Sequence, residues 1–231
     1  MSHIHFIGGE KGGVGKSVMA RLLAQYFIDR SAPFAALDGD GSHAALLRHY
    51  ADFSQPVDLA SPESADQILD RALGADRSVL VDLPAQSARA LEGWIFGANV
   101  LGLAREFGVP ITFWYVSDGG FASVNYIEQA LSRFGAGAGH VVVRNHGRSR
   151  DFRQLDGSPL LEKLGELAGR VIDLPELDSA AMFKLDRAGL SFWAGAHAKA
   201  GPTVLGPLER ERVRLWLEQA YRALEELTGL V

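Results

Sequence analysis

The 231-residue chain contains no cysteine, which removes disulfides, thiolate-ligated zinc, iron–sulfur clusters and the sulfur nucleophile of a glutamine amidotransferase half. It also lacks a strong charge of either sign: 23 Lys and Arg stand against 28 Asp and Glu, a formal net charge of −5. No global field draws it to nucleic acid or anionic lipid, so any DNA contact has to be local. Long apolar runs are missing too. The nearest, Leu91 to Leu103, is broken by Glu92, Asn99 and glycines, too interrupted for the roughly 20 residues a membrane-spanning helix needs. The start, Met1-Ser2-His3-Ile4-His5-Phe6, has neither the basic region nor the apolar core of a signal peptide. A cytoplasmic protein with no membrane association is the expectation. The seven histidines show no paired metal-ligand spacing.

What is present is ordinary for a globular core: 47% hydrophobic and 22% charged residues, with no composition break, so residues 1–231 read as one domain. Short apolar runs at Ile4–Ile7, Phe34–Leu37, Val79–Val81, Ile111–Val116, Val141–Val143 and Val171–Ile172 read as buried strands. Stretches with helical spacing lie between them, such as Met19, Leu22, Leu23, Tyr26 and Phe27. Alternation of this kind predicts an α/β fold, a doubly wound, mostly parallel sheet flanked by helices. Val213, Trp216, Leu217, Ala220, Tyr221, Leu224 and Leu227 form one stripe, predicting an amphipathic closing helix over about 207–228 that packs on the sheet. Trp94, Trp114, Trp193 and Trp216 read as packing residues. Segments 135–139 and 144–157 read as loops. The second carries Arg144, Arg148, Arg150 and Arg153, either solvated or clustered over phosphates or DNA.

The informative stretch is Lys11-Gly12-Gly13-Val14-Gly15-Lys16-Ser17, directly after the first strand. The ordinary phosphate-loop pattern fails, because Glu10 stands where its first glycine belongs. The deviant form, Lys-Gly-Gly-x-Gly-Lys-Ser/Thr, is met at every fixed position. Glycines there let backbone N–H groups close on phosphate oxygens at the positive end of the following helix, which also brings in Val14 and Val18. Lys16 reaches the β and γ phosphates of ATP, and the Ser17 hydroxyl can ligate Mg²⁺.

Two further strand ends carry acid. Asp82 follows Val79-Leu80-Val81, and Asp38-Gly39-Asp40 follows Phe34-Ala35-Ala36-Leu37. In a parallel sheet these carboxyl ends share an edge with the phosphate loop. Asp82 is then the residue that holds Mg²⁺ through water. Asp38 and Asp40, two apart, point the same way if extended. Asp40 is read as orienting the attacking water and supporting the metal, with Asp38 beside it.

With these residues in view the chain resembles the ParA/MinD family of deviant Walker A ATPases, a branch of the SIMIBI class, and Lys11 falls on that family's signature lysine. Val141 to Asn145 looks like its adenine-side strand and Asp173-Leu174-Pro175-Glu176 like a late segment, which implies adenine contacts for Asn145 and Pro175. The resemblance also implies an ATP-dependent homodimer in which Lys11 reaches the partner's phosphates, slow hydrolysis stimulated by a protein partner or cargo, and roles in plasmid partition or positioning. Gly41 replaces the proline usual after the second aspartate. Val116-Ser117-Asp118-Gly119-Gly120, Ile4-His5 and the Arg-rich entry Glu209 to Arg214 are similar to conjugal-transfer ATPases of the TraL type and to mobilisation proteins. Non-specific DNA binding through Arg144, Arg148, Arg150, Arg153 or Arg210, Arg212 and Arg214 is one reading of those arginines; pairing with neighbouring Glu on a solvated helix face is the other. The second functional reading is an ATP-dependent carboxylate-activating enzyme, similar to cobyrinate amidation enzymes or dethiobiotin synthetase.

Overall fold

The computed structural model describes residues 1–41, 43–199 and 205–227. Its strands are β1 (His3–Gly8), β2 (Phe34–Asp38), β3 (Ser54–Pro56), β4 (Ser78–Asp82), β5 (Ile111–Ser117), β6 (Gly139–Asn145) and β7 (Arg170–Leu174). They form one sheet in the order β3-β2-β4-β1-β5-β6-β7, with every pairing parallel. The six strands expected from apolar runs are all present. β3 is the addition: three residues ending in proline at the sheet edge, where a missing N–H is tolerated.

Helices connect the strands: α1 (Lys16–Asp29), α2 (Ala45–His49), α3 (Pro62–Gly74), α4 (Ala88–Gly97), α5 (Val100–Glu106), α6 (Phe121–Phe134), α7 (Arg153–Asp156), α8 (Leu160–Glu166), α9 (Ser179–Ala188), α10 (Phe192–His197) and α11 (Pro207–Glu225). Two apolar layers result. α3 to α6 and α8 pack on one face around Phe6, Phe113 and Val142. α1, α9, α10 and α11 pack on the other around Ile7, Trp114 and Val143. Central strands buried on both sides need the near-continuous apolar runs seen in β1 and β5.

Helix ends follow local chemistry. α3 starts with Pro62 after Ser61, whose hydroxyl accepts the Ser64 N–H. α9 starts on Asp178, which accepts the Ala181 N–H at 3.0 Å, and stops at Gly189 with φ 65°. α11 buries Val213, Trp216, Leu217, Ala220 and Leu224 as its stripe requires; the expected end at 228 lies outside the described residues. No helix among the described residues is long and apolar enough to cross a membrane. Trp94, Trp114 and Trp216 are buried, whereas Trp193 is 51% exposed and packs on the surface against His197.

Two expected loops are partly regular. Gly139 already belongs to β6, and Arg153–Asp156 forms α7. The reason in the second case is Asp151, whose carboxylate accepts the Arg153 N–H and starts a helical turn.

Candidate nucleotide-binding site

In this strand order β1 is where the chain reverses direction across the sheet: β2, β3 and β4 lie to one side, β5 to β7 to the other. The carboxyl end of such a strand is the crevice where open α/β sheets bind ligands. The loop from Gly9 to Gly15 occupies it. Gly13 and Gly15 have φ of 78° and 104°, a region glycine enters without steric cost. Gly15 is doubly constrained, because a Cβ there would sit 2.1 Å from the Asn145 side-chain nitrogen. That nitrogen donates to the Val14 carbonyl at 2.7 Å, so the end of β6 braces the loop.

Lys16 is buried, and its ammonium donates to the Lys11 carbonyl at 3.1 Å. Burial lowers its pKa, while Asp82, Asp40 and Glu10 pull in the opposite direction. Lys11 itself turns outward. Its side chain is half exposed and donates to Asp118 at 2.5 Å. Burial of Asp118 opposes ionisation, but Lys11, the Ser123 hydroxyl and the Gly120 N–H outweigh it and hold the carboxyl below its usual range.

β2, β4 and β1 are adjacent, and Asp82 is in register with both Asp38 and Ile7. Asp82 is fully buried, and neither carboxylate oxygen has a hydrogen-bond partner at bonding geometry. Burial pushes its pKa up to about 7, against which the nearby Ser17 hydroxyl favours the charged form. Gly39 donates to the Asp82 carbonyl at 2.9 Å, close enough that a Cβ would meet Pro84 at 3.0 Å. This contact carries the chain past β4 and delivers Asp40 to the cleft.

Asp38 and Asp40 do not act side by side. Asp38 turns back on its own chain, buried, and accepts the N–H groups of Asp40, Leu46 and Leu47 at 3.0, 2.8 and 3.2 Å. The backbone bends after β2, so the expectation for an extended pair fails, and only Asp40 lines the cleft.

That cleft, about 390 Å³, is lined by Gly12, Gly13, Gly15, Lys16, Ser17, Val18 and Asp40, and continues past Arg21, Arg148 and Asp186. It brings together most of the residues marked in the sequence. Three stand apart. Val14 is buried behind the loop, the Asn145 amide is engaged by Val14, and Pro175 borders a different cleft while its carbonyl accepts the Trp216 indole N–H at 2.8 Å. Arg148, Asp118 and Asp186 carried no local signal of a place at the site beyond the Arg-rich segment and the Val116–Gly120 motif.

The chemistry of the donors fits a magnesium nucleotide. Among the described residues no three His, Asp or Glu side chains converge into a protein-only metal site. Mg²⁺ does not need one, since it keeps waters and takes further ligands from phosphates. A buried carboxylate with two orphaned oxygens beside a hydroxyl is the partial shell such an ion completes.

Parallel seven-stranded order, a glycine loop after the central β1 and aspartates at the ends of β2 and β4 decide the architecture. The fold is that of the ParA/MinD-type P-loop ATPases. The MinD cell division protein of Aquifex aeolicus superposes with a TM-score of 0.54, at 12% identity over 97% of each chain. In sequence, protein MobD of Acidithiobacillus ferrooxidans is 23% identical over 181 residues, covering 75% of this chain and 78% of MobD. Protein TraL of Escherichia coli is 28% identical over 153 residues, 63% of this chain. The match spans 64% of TraL's own length. No family profile matches the chain.

Within this ParA/MinD-type fold the arginine-rich segments are largely paired. Arg144 bonds Asp156 and Asp173, Arg150 bonds Glu176 and Arg153 bonds Asp151. Arg212 lies 3.7 Å from Asp178, Arg214 pairs with Glu211 and Glu218, and Arg210 donates to the Leu205 carbonyl. This favours solvated, charge-balanced faces over a DNA groove.

Proposed function

We propose that the chain is a Mg-ATP-dependent dimerisation switch with slow ATP hydrolysis, working in the cytoplasm in plasmid conjugal transfer or mobilisation. The observation that carries the reading is the opposed placement of two lysines of one loop. Lys16 lies in the phosphate cleft, and Lys11 points away from it to an exposed pair with Asp118. A lysine that serves its own phosphates has no reason to face outward; one that serves a second subunit does.

In this reading the loop amides, Lys16 and the Ser17 side bind the triphosphate, with Ser17, Asp40 and Asp82 holding Mg²⁺ directly or through water. Asp40 orients a water in line with the γ phosphorus. The water oxygen bonds to phosphorus as the bond to the β-γ bridging oxygen breaks, and the leaving charge falls to ADP. This is catalysis by positioning and charge neutralisation. Lys11 exchanges Asp118 for the partner's phosphates, so that binding drives association and hydrolysis reverses it. The likeness to TraL and MobD supports the biological setting; the protein partner or cargo is the component that would trigger hydrolysis.

The test compares Lys16→Ala and Lys11→Ala by nucleotide binding, ATP turnover and light scattering with and without ATP. Lys16→Ala is expected to lose nucleotide binding. Lys11→Ala is expected to keep it, stay monomeric with ATP and lose turnover by at least about 10²-fold, as removal of a transition-state cation does. Dimerisation and turnover at wild-type levels in Lys11→Ala would sink the switch.

A further inference from the structure

Asp40 is carried by a segment too short to hold itself. α2 has five residues, well below the length at which a helix is stable alone. It is entered through Ala44 at φ 43°, a left-handed conformation that is unfavourable for a non-glycine residue and persists only where surrounding structure imposes it. The front of the segment is fixed by the Asp38 carboxylate on Leu46 and Leu47. What fixes its far end lies well over a hundred residues away in the chain.

The Arg48 guanidinium donates to the Asp186 carbonyl at 2.6 Å and reaches the Arg187 carbonyl at 3.4 Å. His49 bonds the Leu190 carbonyl at 2.9 Å, and the Tyr50 hydroxyl accepts the Phe192 N–H at 3.2 Å. The whole C-terminal side of the segment is thus clamped to α9 and α10. Asp186 also uses its side chain: the carboxylate accepts Arg21 at 2.7 Å. Arg21 is buried on α1, one turn beyond Ser17, with its guanidinium 4.6 Å above the Phe192 ring. One residue therefore joins the helix that begins at the phosphates to the segment that carries Asp40, through its carboxylate on one side and its carbonyl on the other.

We infer that Arg48 and Asp186 are positioning residues that set the place of Asp40 in the cleft by pinning the far end of its segment to the phosphate-loop helix. This rests on the reading above, in which Asp40 orients the attacking water. Movement of α1 on nucleotide binding is then passed through Arg21 and Asp186 to Arg48 and so to Asp40, without any change at Asp38.

Asp186→Ala would leave Arg21 buried without its counter-charge and risks misfolding. The discriminating variant is Arg48→Ala, whose lost bonds go only to backbone carbonyls, with Arg48→Lys as the conservative form able to restore one of them. Three readouts are needed: affinity for a fluorescent ATP analogue with Mg²⁺, single-turnover hydrolysis, and amide hydrogen exchange of Ala44 to Leu47 in the nucleotide-free protein. Arg48 borders the cleft, but its guanidinium is held by the Asp186 and Arg187 carbonyls, so Arg48→Ala is expected to bind nucleotide within about threefold of wild type, while hydrolysis slows and exchange at 44–47 quickens by up to about tenfold, the scale of one or two lost hydrogen bonds. Arg48→Lys should recover part of both. Unchanged hydrolysis and exchange would overturn the inference, as would weakened affinity with exchange unaltered, which would make Arg48 a nucleotide contact. If the wild type neither binds nor hydrolyses ATP, the proposed function falls and exchange alone decides: faster exchange in Arg48→Ala upholds the clamp, unchanged exchange removes it.

Discussion

Gly15 shows how little freedom the phosphate loop has. It sits at φ 104° with the Asn145 amide where a side chain would begin. Ala at this position would meet a 2.1 Å contact, and relief requires Asn145 to release the Val14 carbonyl. Gly15→Ala is therefore expected to lower nucleotide affinity by at least about tenfold and to cost roughly 1–3 kcal/mol of stability through backbone strain. Titration with a fluorescent ATP analogue and a denaturant melt would check both. An unaffected affinity would mean that the brace from β6 does not shape the loop. Asn145 holds the loop from behind through the Val14 carbonyl.

Among elements, α9 is the one whose start can be tested most simply. Asp178 caps it through the Ala181 N–H and lies near Arg212 of α11. Asp178→Ala should destabilise the protein by about 1 kcal/mol, seen as a lowered thermal midpoint; a midpoint at or above that of wild type would show that the α9–α11 packing holds the helix without its cap. The legibility of elements followed their size and burial. β1, β5 and β6 announce themselves because strands buried on both faces carry apolar runs, even with the buried His5 inside that of β1, and α11 because a one-sided helix must carry a stripe. β3 has no such demand: Ser54, Gln55 and Pro56 pair at an edge and expose two of their three side chains, so nothing in their types marks a strand. At the site the same divide holds. Lys16, Ser17, Asp40 and Asp82 were legible since each sits in a local pattern, a loop or a strand end. Asp186, Arg21 and Arg48 were not, because their bonds join positions far apart in the chain, and periodicity contains no term for that.

For the molecule as a whole, four histidines weaken the fold in acid, and Asp82, raised to about 7 by burial, opposes them. His3, His5, His49 and His140 are all lowered, chiefly by burial, His3 and His49 to about 4. In the unfolded chain they protonate near pH 6.5. Below that value these four sites bind more protons in the unfolded state, so the stability they contribute is complete above pH 6.5 and falls as the pH drops toward 4. His3 alone, mostly buried against Thr112, should remove about 2 kcal/mol between pH 7 and pH 5. Urea unfolding of the wild type and of His3→Gln at the two pH values would check this, and a loss on acidification as large in His3→Gln as in the wild type would contradict it. The same sheet has a consequence for biosynthesis. Ile4 of the central strand pairs with Val79 on one side and Ile111 on the other, so on the ribosome the first strand waits for β4 to emerge before it has one neighbour and for β5 before it has both. At about 5–20 residues per second that is a wait of seconds, during which an apolar strand stays exposed; nucleotide cannot rescue a nascent chain early, because Asn145, which braces the loop at Val14, is made 131 positions after it.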